Sequence, residues 1–404
     1  GCDIGVTNAG LETDVSLNEN ESHSPRILIL TCLFRPKLMK TILASVQTEK
    51  GLLVGISTVT LWLLYGPTWL SDLSQPVWAG FCFLWLFVSI LWLSFGVVRH
   101  ADALAIRLGE PYGTIVLTLA VIGIEVAMIA AVSLTGKAHP GLARDTMFSV
   151  VMIVLTGMLG GTLLAGGVRH HRQEYNLSGA NAYLGVLVPL AVLTLIVPRF
   201  TQSAPGGNVS PLQAAFLLVT SAGLYIIFLL VQTGSQATYF LSPTISTQQH
   251  EEPPYTTFTH AALLVLSMIP VVFLAKNLGK LVDHGIHTLN APPALGGFLV
   301  AILVLSPEGL SALRAALSNR LQRTINILLG SATSTIGMTV PVVLAIGFFS
   351  GRTLELGLEP TDIAMLTLTL LTSVITLGTG KTTLLQGVVH LILFAAYVML
   401  IFDG

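Results

Sequence analysis

Apolar runs of membrane-crossing length fill most of this chain. A helix crossing about 30 Å of hydrocarbon needs roughly 20 apolar residues. Segments 52–70, 77–98, 113–135, 146–168, 181–198, 211–232, 259–275, 294–313, 324–349, 361–378 and 383–402 meet or approach that length. Lipid offers no partners for backbone amides, so such runs form helices. The expected fold is an all-α polytopic membrane protein with about 11 transmembrane helices. Composition agrees: 53% of the 404 residues are hydrophobic and 10% are charged, against about 25% charged in soluble domains.

Lys and Arg between the runs set the orientation. With a cytoplasmic N-terminus, 13 of the 19 fall on the cytoplasmic side and 6 on the other. The connection 233–258 is the exception: it has no Lys or Arg but carries Glu251, Glu252, Pro253 and Pro254. It divides the chain. Residues 1–50 read as a polar tail and basic juxtamembrane segment, 52–70 as one extra helix, 77–232 as a first five-helix repeat, 233–258 as an acidic cytoplasmic linker, and 259–402 as a second five-helix repeat. Five helices per half is an odd number, so the halves have inverted topology, as in many secondary transporters.

Two apolar runs hold a central carboxylate. LTLAVIGIEVAMIAAVSLTG (117–136) contains Glu125, and PALGGFLVAILVLSPEGLSAL (293–313) contains Glu308. A charge at the bilayer centre costs at least about 2.5–3.5 kcal/mol, so such residues face a cavity or a partner. No Lys or Arg lies near either Glu on its own helix, so the counter-charge is expected to be mobile: a cation or protons. A hard cation such as Ca²⁺ takes about six to eight oxygens. Two carboxylates supply some of these. Thr156, Asn326, Ser331, Thr333 and Ser334, on the helices that follow, are the expected further donors. Helix breaks are expected at Gly123 and at Ser306-Pro307, where the proline leaves the Leu303 carbonyl without its donor. Cation and protons then compete for one site, which titrates as a coupled unit.

Each half repeats one layout: a Glu-bearing helix, a short basic connection, then an uncharged helix rich in Gly and hydroxyls. Aligning Gly160 with Gly337 brings Thr156 opposite Thr333. RHADALAIRLGEPYGTIVLTLAVIGIEVAMIAAVSL (99–134), LARDTMFSVVMIVLTG (142–157) and the stretch 292–343 that contains LSPEG and GSATSTIGMTVPVV resemble the two alpha repeats of the cation/calcium exchanger superfamily, in its proton-coupled, ChaA-like bacterial branch. The resemblance covers roughly residues 77 to 402. It implies a five-plus-five inverted-repeat fold with an extra N-terminal helix. It implies Glu125 and Glu308 as central cation and proton ligands, with contributions from the helices of Thr156 and Ser331. Many members have Asn near position 156, where this chain has Thr.

The function expected is exchange of cytoplasmic Ca²⁺ for protons by alternating access, with Na⁺ or K⁺/proton antiport at the same site as the alternative. No cofactor is expected beyond the transported ions. The expected partners are membrane lipids, with a homo-oligomer admitted; a net charge of −1 gives no reason to expect nucleic acid. A bacterial inner membrane is the expected location, with an organellar membrane as the alternative. An intramembrane enzyme would need a nucleophile and base or a metal-binding cluster; the runs hold no HExxH and no Cys–His set. LGTGKTT (377–383) has Ile375 where a phosphate loop needs Gly, and reads as a turn. His390 reads as a hydrogen-bonded packing residue, and His170-His171 as part of a basic cluster. Asp102, Asp145 and Asp283 read as loop or cap residues near helix ends, with cation steering as their functional alternative.

Overall fold

The computed structural model describes residues 49–108, 116, 119–120, 122–127, 141–241, 255–350 and 355–403. In chain order the helices are α1 (Lys50–Ser71), α2 (Pro76–Leu108), α3 (helical at each described position from 116 to 127), α4 (Leu142–His170), α5 (Leu177–Phe200), α6 (Pro211–Thr233), α7 (Thr257–Leu289), α8 (Ala294–Leu317), α9 (Leu321–Phe349), α10 (Pro360–Leu377) and α11 (Leu384–Asp403). Among the described residues 10 helices are long and apolar enough to cross a membrane. The third run is helical wherever it is described. The tail before residue 49 and Glu251 and Glu252 of the linker lie outside the described residues.

Two helices run well past their expected ends. α2 and α7 each have 33 residues, about 50 Å of helix at 1.5 Å per residue. The hydrocarbon layer is about 30 Å thick. An apolar window stops at the first charge, at Arg99 or Lys276, but the backbone continues through leucines and alanines to Leu108 and Leu289. This corrects the placement of Asp102 and Asp283, which lie inside α2 and α7 rather than in loops. Asp145 likewise sits in the first turn of α4. Pro270 does not interrupt α7. Pro189 in α5 is followed by a π-helical turn at Val192–Ile196, which absorbs the local mismatch.

The first helices of the two halves are antiparallel. At one face His100 Nδ1, late in α2, lies 3.1 Å from His260 Nδ1, early in α7. At the other face His284 Nε2, late in α7, lies 3.1 Å from the Leu73 carbonyl just before α2. Corresponding helices also match in length: α4 and α9 have 29 residues each. Each contains one π-helical turn, at Ile153–Met158 and Thr335–Thr339.

Side-chain packing forms two apolar clusters. One joins α4, α5, α6, α9, α10 and α11. The other joins α1, α2 and α7. The Glu-bearing helices lie on the seam. α8 gives Ala301 and Leu305 to the first cluster and Val300 and Val304 to the second; α3 gives Ile122 to the first and Ile124 to the second.

Contacts at the two faces tie the larger cluster together. At the face where α4 and α8 end, Gln173 Nε2 donates to the Ala316 carbonyl at 2.8 Å, and the strands Gln173–Glu174 and Lys381–Thr382 pair antiparallel. The LGTGKTT stretch is the turn between α10 and α11, with Gly380 at φ +71° and Lys381 paired to Glu174 at 2.9 Å. At the opposite face Arg144 bridges Asp145 at 2.8 Å and Glu355 at 2.7 Å.

α4 and α11 cross at glycines. A Cβ on Gly387 would lie 2.5 Å from the Leu164 amide nitrogen and 2.9 Å from the Gly160 carbonyl. Both obstacles are backbone, so neither rotates away, and small residues are what such crossings require. Gly387→Leu is expected to cost about 1–3 kcal/mol or more by overpacking. The check is thermal unfolding and monodispersity in detergent: the melting temperature should fall clearly below that of Gly161→Ala, whose added Cβ meets nothing within 4 Å.

Candidate functional site

Glu125 and Glu308 are both buried, at 3% and 8% exposure. One stripe of hydroxyls on α9 holds them. The Ser331 hydroxyl donates to Glu308 Oε2 at 2.5 Å. Thr335 donates to Glu125 Oε2 at 2.7 Å, and Thr339 to Glu125 Oε1 at 3.2 Å. Positions 331, 335 and 339 recur every four residues, so they share one helix face. A π-helical turn spans Thr335–Thr339, and the hydroxyls at both its ends reach Glu125 of α3. A single helix thus supports both carboxylates. Glu308 lies within electrostatic range of Glu125 and of Asp102.

A cavity of about 490 Å³ reaches Glu308. It opens at the face where α2 and α6 end and α9 begins. Asp102, Arg323, Asn326, Ser331 and Ser334 line it with Glu308. Glu125, Thr335 and Thr339 are not among its lining residues. One carboxylate therefore faces the cavity and the other does not.

The expected site residues separate on this geometry. Ser331 touches Glu308. Ser334 lines the cavity while donating to the Ser331 carbonyl at 2.9 Å. Asn326 also lines it, but its side chain is engaged. Its amide donates to the Phe240 carbonyl at 2.7 Å and its oxygen accepts from Gln322 at 2.9 Å, which pins the 3₁₀ turn Ala237–Phe240 to α9. Thr156 donates to the Met152 carbonyl of its own helix. Thr333 is fully buried, and its hydroxyl has no hydrogen-bond partner among the described residues.

The expected helix breaks are absent. α8 is continuous through Ser306 and Pro307, and Ser306 donates to the Ile302 carbonyl at 2.6 Å. Residues 122–127 are helical through Gly123. The proline still removes the amide that would pair with the Leu303 carbonyl, but the helix accommodates this without opening. His390 is held by the Leu155 carbonyl at 2.6 Å and the Thr376 hydroxyl at 3.0 Å, as a packing residue would be. His170 Nε2 lies 2.9 Å from the Leu317 carbonyl.

Thr335 and Thr339 were not among the sequence candidates. Their signal is the four-residue spacing from Ser331, visible in SATSTIGMT. Thr156 makes a direct test of this geometry. Because its hydroxyl bonds its own helix, Thr156→Ala is expected to lower transport less than Thr335→Ala, measured side by side in reconstituted vesicles.

Comparison with known proteins agrees with this architecture. The chain is 40% identical over 340 residues to the sodium-potassium/proton antiporter ChaA of Escherichia coli (strain K12), covering 83% of this chain and 92% of that protein. It is 24% identical over 330 residues to the Ca²⁺/H⁺ antiporter ChaA of Bacillus subtilis (strain 168), covering 78% and 88%. Among solved structures, native YfkE superposes with a TM-score of 0.66 at 18% identity, covering 88% of this chain and 100% of the other. The H⁺/Ca²⁺ exchanger CAX superposes at 0.62 and 13% identity, covering 87% and 88%. The family model described as sodium/calcium exchanger protein matches residues 78–234 and 259–402, the two halves on either side of the acidic connection. The chain belongs to the sodium/calcium exchanger protein family.

Proposed function

We propose that this protein is a secondary antiporter that exchanges a cytoplasmic cation for protons at a site built from Glu125 and Glu308. The observation that carries the reading is the shared support of two buried carboxylates by one face of α9, with one of them opening to a cavity. Among the described residues neither carboxylate forms an ion pair with a Lys or Arg. The carboxylates and the hydroxyls of Ser331, Thr335 and Thr339 offer enough oxygens for the about six to eight that Ca²⁺ takes. Protons on the carboxylates and a cation between them are mutually exclusive, and that competition couples the two fluxes.

Ca²⁺ is the leading substrate, in line with the names of the Bacillus relative, a Ca²⁺/H⁺ antiporter, and of the H⁺/Ca²⁺ exchanger CAX. The 40% identity to a sodium-potassium/proton antiporter favours Na⁺ or K⁺ as the second reading. The excess of Lys and Arg in one set of connections supports a cytoplasmic N-terminus and a cytoplasmic cavity mouth, and the bacterial relatives support an inner-membrane location. The cavity is then inward-facing. Alternating access follows if the α1, α2 and α7 cluster moves against the larger one, because the Glu-bearing helices lie on their seam.

The test is purified protein in liposomes carrying an internal pH dye and an imposed pH gradient. Ca²⁺, Na⁺ and K⁺ are added in turn. Proton movement on addition of a cation is the expected result, and the ranking of ions identifies the substrate. Cation flux with no proton movement would make the protein a channel, and no response to any cation would overturn transport altogether.

A further inference from the structure

α2 and α7 carry a matched pair of aspartates. Aligning the two 33-residue helices from their first residues places Asp102 on Asp283 and Arg99 on Lys280. Each aspartate is the only acidic residue in its helix. The helices are antiparallel, as the His100–His260 and Leu73–His284 contacts show. The two carboxylates therefore sit near opposite faces of the bundle. They occupy equivalent positions of the inverted halves, about one helix end beyond the apolar stretch.

Asp102 has a visible task. It lines the cavity with Glu308, and Val98, one turn earlier, lines it too, so this face of α2 forms one wall. Arg323 of α9 lines the same cavity and interacts electrostatically with Asp102. A carboxylate in the mouth of a low-dielectric cavity concentrates cations there. A nearby guanidinium limits how tightly they are held, and passage needs an ion to bind firmly enough to enter but weakly enough to move on.

We propose that Asp102 and Asp283 are capture carboxylates: Asp102 takes the cation from the compartment that the cavity faces and passes it to Glu308, and Asp283 does the same for Glu125 when access switches to the opposite face. The inference rests on the antiport reading. It adds a two-sided rule to it: each aspartate serves one face only. The inverted repeat makes this pairing natural, since α2 stands to α8 as α7 stands to α3.

The experiment is sided transport in inside-out and right-side-out membrane vesicles, with Ca²⁺, Na⁺ and K⁺ as probes. Wild type is compared with Asp102→Asn, Asp283→Asn, Arg323→Gln and, as an inactive reference, Glu308→Gln. Asp102→Asn is expected to raise the cation KM about tenfold at the face where α2 ends, the low end of what charge focusing gives, and to leave KM at the other face unchanged. Asp283→Asn is expected to do the reverse. Arg323→Gln should lower KM at the first face. Both aspartate effects should shrink as ionic strength rises, and Asp102→Glu should restore KM; a purely structural aspartate would show neither behaviour. Equal KM changes at both faces, or none, in vesicles whose wild-type protein exchanges normally, would overturn this inference alone. A wild-type protein that moves no protons with any cation would overturn the antiport reading and this inference together.

Discussion

Glu308→Gln should abolish cation-driven proton movement while leaving the folded protein intact. Gln has nearly the same shape, and Ser331 can still donate to its amide oxygen. The substitution removes a charge from the membrane interior, which relieves an insertion cost of about 2.5–3.5 kcal/mol. Folding yield and melting temperature in detergent should therefore equal or exceed wild type. Transport should not survive. A neutral amide cannot exchange a proton in the physiological range, and it offers a cation one weak ligand in place of a charge. Removing one partner of a buried charge pair costs about 3–5 kcal/mol, or at least a hundredfold in affinity. Glu125→Gln should give the same loss, although Glu125 does not line the cavity. That equality matters. If only Glu308→Gln were inactive, Glu125 would be a buried structural carboxylate held by Thr335 and Thr339, and the two-carboxylate site would be wrong.

How much of this was legible in the sequence depended on the range of the contact. The membrane-spanning helices follow from local hydropathy, because lipid leaves the backbone no other solution. Their ends do not. Arg99 and Lys276 close an apolar window, yet α2 and α7 continue as helix for two or more turns beyond them. That difference hid Asp102 from the site and left it among loop residues. Glu125 and Glu308 stood out because a lone acid in an apolar run is costly and therefore informative. Their partners were harder to read. The stretch from Ser331 to Thr339 offers several hydroxyls, and choosing among them requires the phase of α9 and its π-helical turn, neither of which composition encodes. The bond from Thr335 to Glu125 also crosses between the two halves, 210 positions apart in sequence. Reading the layout within each half pointed instead to Thr156, whose hydroxyl the structure gives to its own helix.

The cross-half bond supports the second large expected effect. Among the described residues Thr335 and Thr339 donate their hydroxyls to Glu125, one to each oxygen, and both are essentially fully buried. Replacing both by Ala leaves the ionised carboxylate without these donors in a site that water does not freely enter. Hydrogen bonds to charged groups contribute about 1.5–3 kcal/mol each. At the low end the pair is worth about 3 kcal/mol, roughly a hundredfold. The double variant should therefore show a cation KM raised by one to two orders of magnitude, read from the concentration dependence of proton movement in liposomes. Thr335→Ser with Thr339→Ser should recover most of the affinity, since the hydroxyls return and only methyl groups are lost. Thr335→Val with Thr339→Val should not recover it, although valine fills the space better. That ordering separates hydrogen bonding from packing. A valine pair as active as the serine pair would mean that α9 merely fills space beside Glu125. Failure of the serine pair to recover would mean that the methyl groups hold α9 in phase. With the expected ordering, α9 is the element through which the two halves share one ion: Ser331 holds the carboxylate of its own half, and Thr335 and Thr339 hold that of the other. A small displacement of this helix would then change both carboxylates at once, which an exchanger needs if neither half is to release its ion alone.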